Sequence, residues 1–403
     1  MEEAAFAAGD VAWVMTACAL VLMMTVPGLA LFYGGMVKRT SVLSTLMQAL
    51  GAAGLVTLAW VIAGYSFAFG GEGPLFGGFE RIFLNGLTLE SDAGGIPESV
   101  FILFQMTFAI ITVAIIAGAA AERLSFKAWM IFTPIWLLLV YAPVAHWVWG
   151  GGFLHGAGVL DFAGGAVVHI NAGVAGLVLA LKLGPRRGWP KEGSPPHNLV
   201  LTVIGAGLLW VGWFGFNGGS ALGANALAAH AALVTQIAAA TAAITWALLE
   251  WILRGKPSVL GAASGAVAGL VGITPAAGFV APYAAFVIGA LAAAGGYWAI
   301  TGLKKMLKYD DSLDAFGLHG VCGLVGAILT GVFAAEAIGG APGALEGDIP
   351  LVWTQTWGAL AVAAYCAILT FAILWVIGLV MKLRVDEEDE ITGVDVALHG
   401  ESA

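Results

Sequence analysis

The sequence predicts an all-α integral membrane protein with eleven transmembrane helices. Of its 403 residues, 60% are hydrophobic and only 10% are charged, whereas a soluble domain usually carries about 25% charged residues. The apolar residues form eleven runs of about 20 residues, which is the length that crosses a bilayer as a helix. Fifteen of the 16 basic residues lie at the ends of odd-numbered runs, and this pattern supports the odd count.

The predicted spans follow one another with short polar connections. They cover residues 11–36, 40–70, 99–121, 128–149, 162–183, 197–218, 225–253, 258–278, 282–303, 314–337 and 353–381. The acidic N-terminus lacks the basic segment of a signal peptide, and the first run is too long for one. We therefore expect a multi-pass membrane domain over residues 1–381, followed by a tail over residues 382–403.

The basic residues also predict the orientation. Lysine and arginine are enriched in cytoplasmic loops, and Arg81 is the single basic residue on the other side of the predicted topology. This places the N-terminus outside and the tail in the cytoplasm. We expect the protein in the inner or plasma membrane of the cell.

An internal repeat divides the spans into two groups of five. Residues 169–176 and 319–326 both read H-x3-G-x2-G, and these positions share one face of a helix. The repeats are predicted at about 11–183 and 197–337, with a final helix at 353–381. Because five is odd, the two units are inverted, an arrangement typical of transporters. Inversion can bring His169 and His319 together in mid-membrane.

Three interpretations of His169 and His319 compete. They can be two separate core histidines, each with its own hydrogen-bond partners. They can bind a metal or haem, although a metal needs further ligands and the small neighbouring residues leave little room for haem. They can also line a conduction path, because neutral imidazoles that share a hydrogen bond can relay protons. An ionisable group inside a membrane usually marks such a path, so we expect pore lining and no cofactor.

Further candidate residues lie near the predicted outer ends of the helices. Asp161 precedes the fifth span and is expected to cap it, with its charge also favouring a cation. On the cytoplasmic side, Asp314 is expected to cap the tenth span. Aromatic residues crowd the outer ends, and several ring faces turned to one vestibule can attract a small cation. They are Trp147, Trp149, Phe104, Phe108, Trp213, Phe214 and Phe216. Ser220 can accept a hydrogen bond from that cation.

Other functions find little support in the sequence. Cys18, Cys322 and Cys366 lie in apolar runs with no metal or disulfide spacing, so we expect them to be core residues. The phosphate-binding Gly-Lys-Ser/Thr motif and the serine elbow are missing from the sequence. We expect neither an enzyme nor a nucleic-acid partner.

The chain resembles the ammonium transporter family (Amt/Mep/Rh), in its Amt branch, over essentially its whole length. The segments that carry the resemblance are FYGGMVKR (32–39), FQMTFA (104–109), AERLSFKAW (121–129), WGGGFLHGAGVLDFAGGAVVHINAG (149–173), WFGFNGGSAL (213–222) and DAFGLHGVCG (314–323). By this resemblance, Trp149, Phe108 and Ser220 would form an outer ammonium site, which Asp161 would support.

The resemblance also implies how the substrate crosses. Phe108 and Phe216 would be the stacked rings that gate the pore, and His169 and His319 would be its paired histidines. The ion would lose its proton outside, and ammonia would pass through a narrow apolar pore in each subunit of a homotrimer. Whether the proton follows separately is left open by the sequence.

The tail at 382–403 would contact the cytoplasmic face and a PII-type regulatory protein. Two other functions are considered: an ammonium sensor, or transceptor, that signals through the tail, and a channel for water or neutral gas. The water-channel signature of two asparagine-proline-alanine segments does not occur in the sequence.

Overall fold

The computed structural model describes residues 6–191 and 195–403, and these ranges are all-helical, without a β-strand. The long helices are α1 (Ala8–Met36), α2 (Arg39–Phe69), α3 (Glu98–Ala119), α4 (126–148), α5 (Gly165–Leu183), α6 (Leu199–Gly218), α7 (Ala226–Arg254), α8 (Val259–Ile273), α9 (Pro282–Leu307), α10 (Phe316–Phe333) and α11 (Pro350–Val380). Two short helices in the tail are α12 (Glu387–Thr392) and α13 (Val394–His399).

The helices agree with the predicted spans except at α8. Over the described residues, ten helices are long and apolar enough to cross a membrane. Helix α8 has only 15 residues and ends at Ile273, where the sequence predicts a span to 278. Pro275 has no backbone N–H to continue the helix, and its carbonyl accepts a hydrogen bond from the Phe162 N–H at 3.1 Å. The count of eleven membrane-spanning helices therefore stays a prediction, because it depends on α8.

Loops that carry basic residues meet on one face of the helix bundle. The buried Arg123 guanidinium donates to the carbonyls of Gly184 (2.9 Å) and Asp310 (2.5 Å), and so joins three connections. Arg186 pairs with the Asp310 carboxylate at 2.9 Å. Burial alone would raise the pKa of Asp310, but the hydrogen bond and charge of Arg186 hold that pKa below its usual value. We call this surface the basic face.

The tail packs onto the basic face. Asp395 is only 1% exposed. Its carboxylate accepts hydrogen bonds from the backbone N–H groups of Leu43 (3.1 Å) and Ser44 (2.7 Å) at the start of α2. Arg384 pairs with Glu390 at 2.5 Å. Residues 382–403 therefore form part of the folded structure.

Candidate functional site

His169 and His319 meet in the interior of the bundle. Their Nδ1 atoms are 3.2 Å apart, and their ring centroids are 5.3 Å apart. His169 is fully buried and His319 is 3% exposed. One Nδ1 must donate its proton to the other, so the pair shares a single proton at this bond. The Nε2 atom of His169 has no hydrogen-bond partner within the described residues.

Each histidine lies in a π-helical turn. His169 is in the turn Gly165–Ile170, and His319 is in the turn Phe316–Val321. Such turns contain one more residue than an α-helical turn and often occur at functional sites. Phe216 lies in a third turn of this kind, Phe214–Gly218. The three side chains are therefore directed by locally widened backbone.

The repeated glycines allow α5 and α10 to cross in close contact. A Cβ atom at Gly173 would lie 2.3 Å from the backbone nitrogen of Gly320, and one at Gly323 would lie 3.2 Å from the His169 Cβ. Each glycine thus faces the histidine turn of the other helix. Small residues let membrane helices approach backbone to backbone, and here they bring the imidazoles within hydrogen-bond distance.

Asp161 caps the turn that carries His169. Its carboxylate accepts four backbone hydrogen bonds, from residues 164–167, at 2.6 to 3.1 Å. Its own carbonyl accepts the indole N–H of Trp149 at 2.8 Å. The expected capping role is therefore present, and the carboxylate oxygens are already occupied by backbone donors. Asp161 also positions the Trp149 ring.

The corresponding cap on α10 comes from Asp311, so the expectation for Asp314 is wrong. The Asp311 carboxylate accepts from the backbone N–H groups of residues 315 and 316 at 3.1 and 2.7 Å, and burial raises its pKa to about 6, against the opposing charge of Lys304. Asp314 instead pairs with Lys304 at 2.7 Å. Asp311 precedes His319 by eight residues, the same spacing that separates Asp161 from His169.

A column of aromatic rings leads to the histidine pair. Phe108 and Phe216 stack with centroids 4.1 Å apart and planes at 19°, and both are buried. On one side, Trp149 lies edge-on to Phe108 at 5.9 Å. On the other side, His169 lies 5.9 Å from Phe216. The five rings form a continuous series in which the stacked pair separates Trp149 from the histidines.

A cavity of about 240 Å³ lies above this column, at the end of α4 farthest from the basic face; we call it the outer cavity. It is lined by Phe69, Phe101, Phe104, Gln105, Phe108, Val148, Trp149, His155, Phe162, Ser220 and Leu222. The Ser220 hydroxyl donates to the Phe216 carbonyl at 2.8 Å, which leaves its oxygen free to accept. The buried Gln105 Oε1 has no partner within residues 6–191 and 195–403.

Several lining residues were not singled out from the sequence. Phe69, Phe162 and Leu222 come from different loops and helix ends, so no local pattern relates them. Phe101 has a local signal, since residues 101, 104, 105 and 108 recur at the spacing of one helix face. His155 belongs to no repeated pattern in the sequence, and the cavity wall includes it.

The helical bundle and its buried series of rings are typical of a polytopic membrane protein of the transporter class. The chain belongs to the ammonium transporter family, whose model, described as "Ammonium Transporter Family", matches residues 12–403. An ammonium transporter of Bacillus subtilis is 50% identical over 392 residues, which are 96% of each chain. An ammonium transporter of Aquifex aeolicus is 50% identical over 404 residues, or 100% of this chain and 95% of the relative.

Solved structures share the fold. The crystal structure of Candida albicans Mep2 is 36% identical with a TM-score of 0.89, and the alignment covers 95% of this chain and 88% of Mep2. A structure described as "Sensor Amt Protein" is 29% identical with a TM-score of 0.91, and covers 97% of this chain and 98% of that protein. These likenesses extend over at least 95% of this chain.

Proposed function

We propose that this protein carries ammonium across the membrane by recruiting NH4+, removing its proton and conducting NH3. The observation that supports this best is the series of rings from Trp149, through Phe108 and Phe216, to His169 and His319. Eleven spans in an inverted 5+5 repeat plus a final helix, with the N-terminus outside and the tail inside the cell, would place the outer cavity outside.

Recruitment would take place in the outer cavity. Trp149 and Phe108 present aromatic surfaces there, and such surfaces attract small cations. The free acceptor positions of Ser220 and the unpartnered Gln105 oxygen can receive N–H donors. Ammonium has four such donors and potassium has none, which favours ammonium in a site that offers acceptors. Asp161 would contribute by capping and by holding Trp149, without direct contact to the ion.

The stacked gate favours passage of the neutral form. The stacked rings of Phe108 and Phe216 carry no polar group, and a bare cation loses much solvation free energy in apolar surroundings. Ammonia carries no charge and crosses at lower cost. Below the gate, the histidine pair offers one acceptor nitrogen and one N–H donor, which is the set that ammonia can use.

The assembly and the regulation are proposed by analogy with the family. We propose a homotrimer in the cell membrane, with one path in each subunit and a PII-type regulatory protein at the basic face. The docked tail at 382–403 is the segment that such a regulator would meet. The domain division is thus a membrane domain over residues 1–381 and a regulatory tail.

The test is the double variant His169→Gln/His319→Gln in proteoliposomes, measured as solid-supported-membrane currents with ammonium and with potassium at several pH values. We expect the ammonium current to fall by at least tenfold or the ammonium-over-potassium preference to be lost. His230→Gln is the matched control, because His230 bonds the Val280 carbonyl far from the column. Unchanged rate and unchanged selectivity in the double variant would refute the role of the pair.

A second candidate function is an ammonium sensor, which is favoured by the likeness to the protein described as "Sensor Amt Protein" and by the docked tail. A sensor would bind ammonium in the outer cavity and change the position of the tail while little substrate crosses. Methylammonium uptake distinguishes the two. A transporter accumulates the label, whereas a sensor shows ammonium-dependent protease protection of the tail without uptake.

A further inference from the structure

The loop between α4 and α5 holds His155 in the wall of the outer cavity. Residues 153–156 form one helical turn, and the Phe153 ring anchors it against Trp147 at 4.9 Å and Trp357 at 6.3 Å. His155 is exposed on this anchored turn and lines the same cavity as Trp149. The anchored turn therefore places His155 in the wall of the cavity.

Other titratable groups around the cavity are already engaged. The Asp161 carboxylate accepts four backbone hydrogen bonds. Glu98, at the start of the helix that carries Phe101 and Phe104, binds Arg81 and accepts the Tyr65 hydroxyl. Both ring nitrogens of His146 contact backbone carbonyls.

His155 differs from these groups. Its ring makes no hydrogen bond within the part of the chain that the structure describes, and no other residue in the cavity lining has a basic side chain. Imidazole is the side chain whose charge ordinarily changes between pH 5 and 8.

We propose that His155 sets the affinity of the outer cavity for ammonium according to the external pH. Neutral imidazole leaves the cavity uncharged and adds a nitrogen that can accept an N–H bond from the ion. Protonated imidazole places a positive charge beside the recruitment position and repels the ion. Acidic surroundings would therefore weaken recruitment before the substrate reaches the gate. This inference rests on the proposed transport of ammonium.

The size of the effect follows from the cavity. A sphere of the observed volume is about 8 Å across. Two unit charges at that separation repel each other enough to weaken binding by about twofold in water-like surroundings and about thirtyfold in the surroundings of a protein surface. The aromatic lining makes a value well above the water limit the expected one.

The experiment measures methylammonium uptake into proteoliposomes as a function of concentration between external pH 5 and 8. For the unmodified protein, we expect the half-saturation concentration to rise severalfold as the pH falls, while methylammonium itself stays protonated. His155→Gln should keep the same half-saturation concentration at pH 5 as at pH 8. His155→Lys should show a raised value at every pH, and the control His230→Gln should behave like the unmodified protein.

Each outcome is decisive. The proposal fails if His155→Gln keeps the full acid-induced loss of affinity, or if His155→Lys binds as tightly as the unmodified protein at pH 8. Absence of saturable uptake in the unmodified protein would instead refute the proposed transport. A fall in maximal rate without a change in half-saturation concentration would show that His155 supports the loop and does not tune recruitment.

Discussion

Substituting Gly173 by alanine tests whether backbone contact between α5 and α10 sets the histidine geometry. The added Cβ would lie 2.3 Å from the Gly320 nitrogen, about 1.1 Å closer than ordinary contact at 3.4 Å. The atoms that the new Cβ would meet, the nitrogen and Cα of Gly320, belong to the backbone and cannot rotate away. The helices must therefore separate by about 1 Å. The His169–His319 bond of 3.2 Å would then exceed hydrogen-bond distance. Overpacking of this kind costs about 1–3 kcal/mol.

The assay combines methylammonium uptake with thermal unfolding in detergent. We expect Gly173→Ala to lower transport by about tenfold to a hundredfold, the scale of a 1 Å misplacement of functional groups, and to lower the melting temperature by several degrees. Gly207→Ala is the matched control, since its Cβ would meet no atom within 4 Å and alanine favours the helix by about 0.5–1 kcal/mol. Normal transport and normal melting of Gly173→Ala would refute the reasoning.

Three further substitutions test other parts of the structure. Trp149→Leu removes the aromatic surface above Phe108, and we expect the half-saturation concentration for methylammonium to rise about fivefold or more, as for a cation–π contact of about 1 kcal/mol or more; unchanged affinity would contradict this role. Asp161→Ala leaves four N–H donors without their carboxylate, and we expect a loss of about 2 kcal/mol or more in unfolding free energy; an affinity change at constant melting temperature would point to direct ion contact. Asp395→Asn should speed tryptic cleavage within the tail, whereas exposed Glu388→Gln should not; equal cleavage rates would show that this cap does not hold the tail.

Much of the fold was predictable because its signals are local. Apolar runs and the basic residues after alternate spans depend on short stretches of sequence, and most helix ends lie within three residues of the predicted ones. The largest difference is at α8, where apolar sequence continues through 274–278 while the backbone turns. That turn depends on Pro275 and on its contact with Phe162, which is more than 100 residues away in the sequence.

The site was predictable to the extent that it repeats. The H-x3-G-x2-G pattern identified both histidines and the glycines that let them meet. The cap of α10 was assigned to the wrong residue, because Asp310, Asp311 and Asp314 are all near its start and only tertiary contacts separate their roles. Asp310 binds Arg186, Asp314 binds Lys304, and Asp311 alone reaches the helix backbone. A comparison of the eight-residue spacing in both repeats would have selected Asp311.

His169 and His319 lie in the π-helical turns Gly165–Ile170 and Phe316–Val321. The number of residues in each turn therefore determines where the imidazole lies. Each turn accommodates one residue more than an α-helix of the same rise. Deleting a single residue between Asp161 and His169 would leave an α-helical turn in place of the π turn. This would redirect the side chains inside the turn, including the imidazole, while the helix beyond it kept its orientation. Every side chain of the site would still be encoded, and the two rings would no longer face each other. In this protein a one-residue deletion would be more damaging than many substitutions.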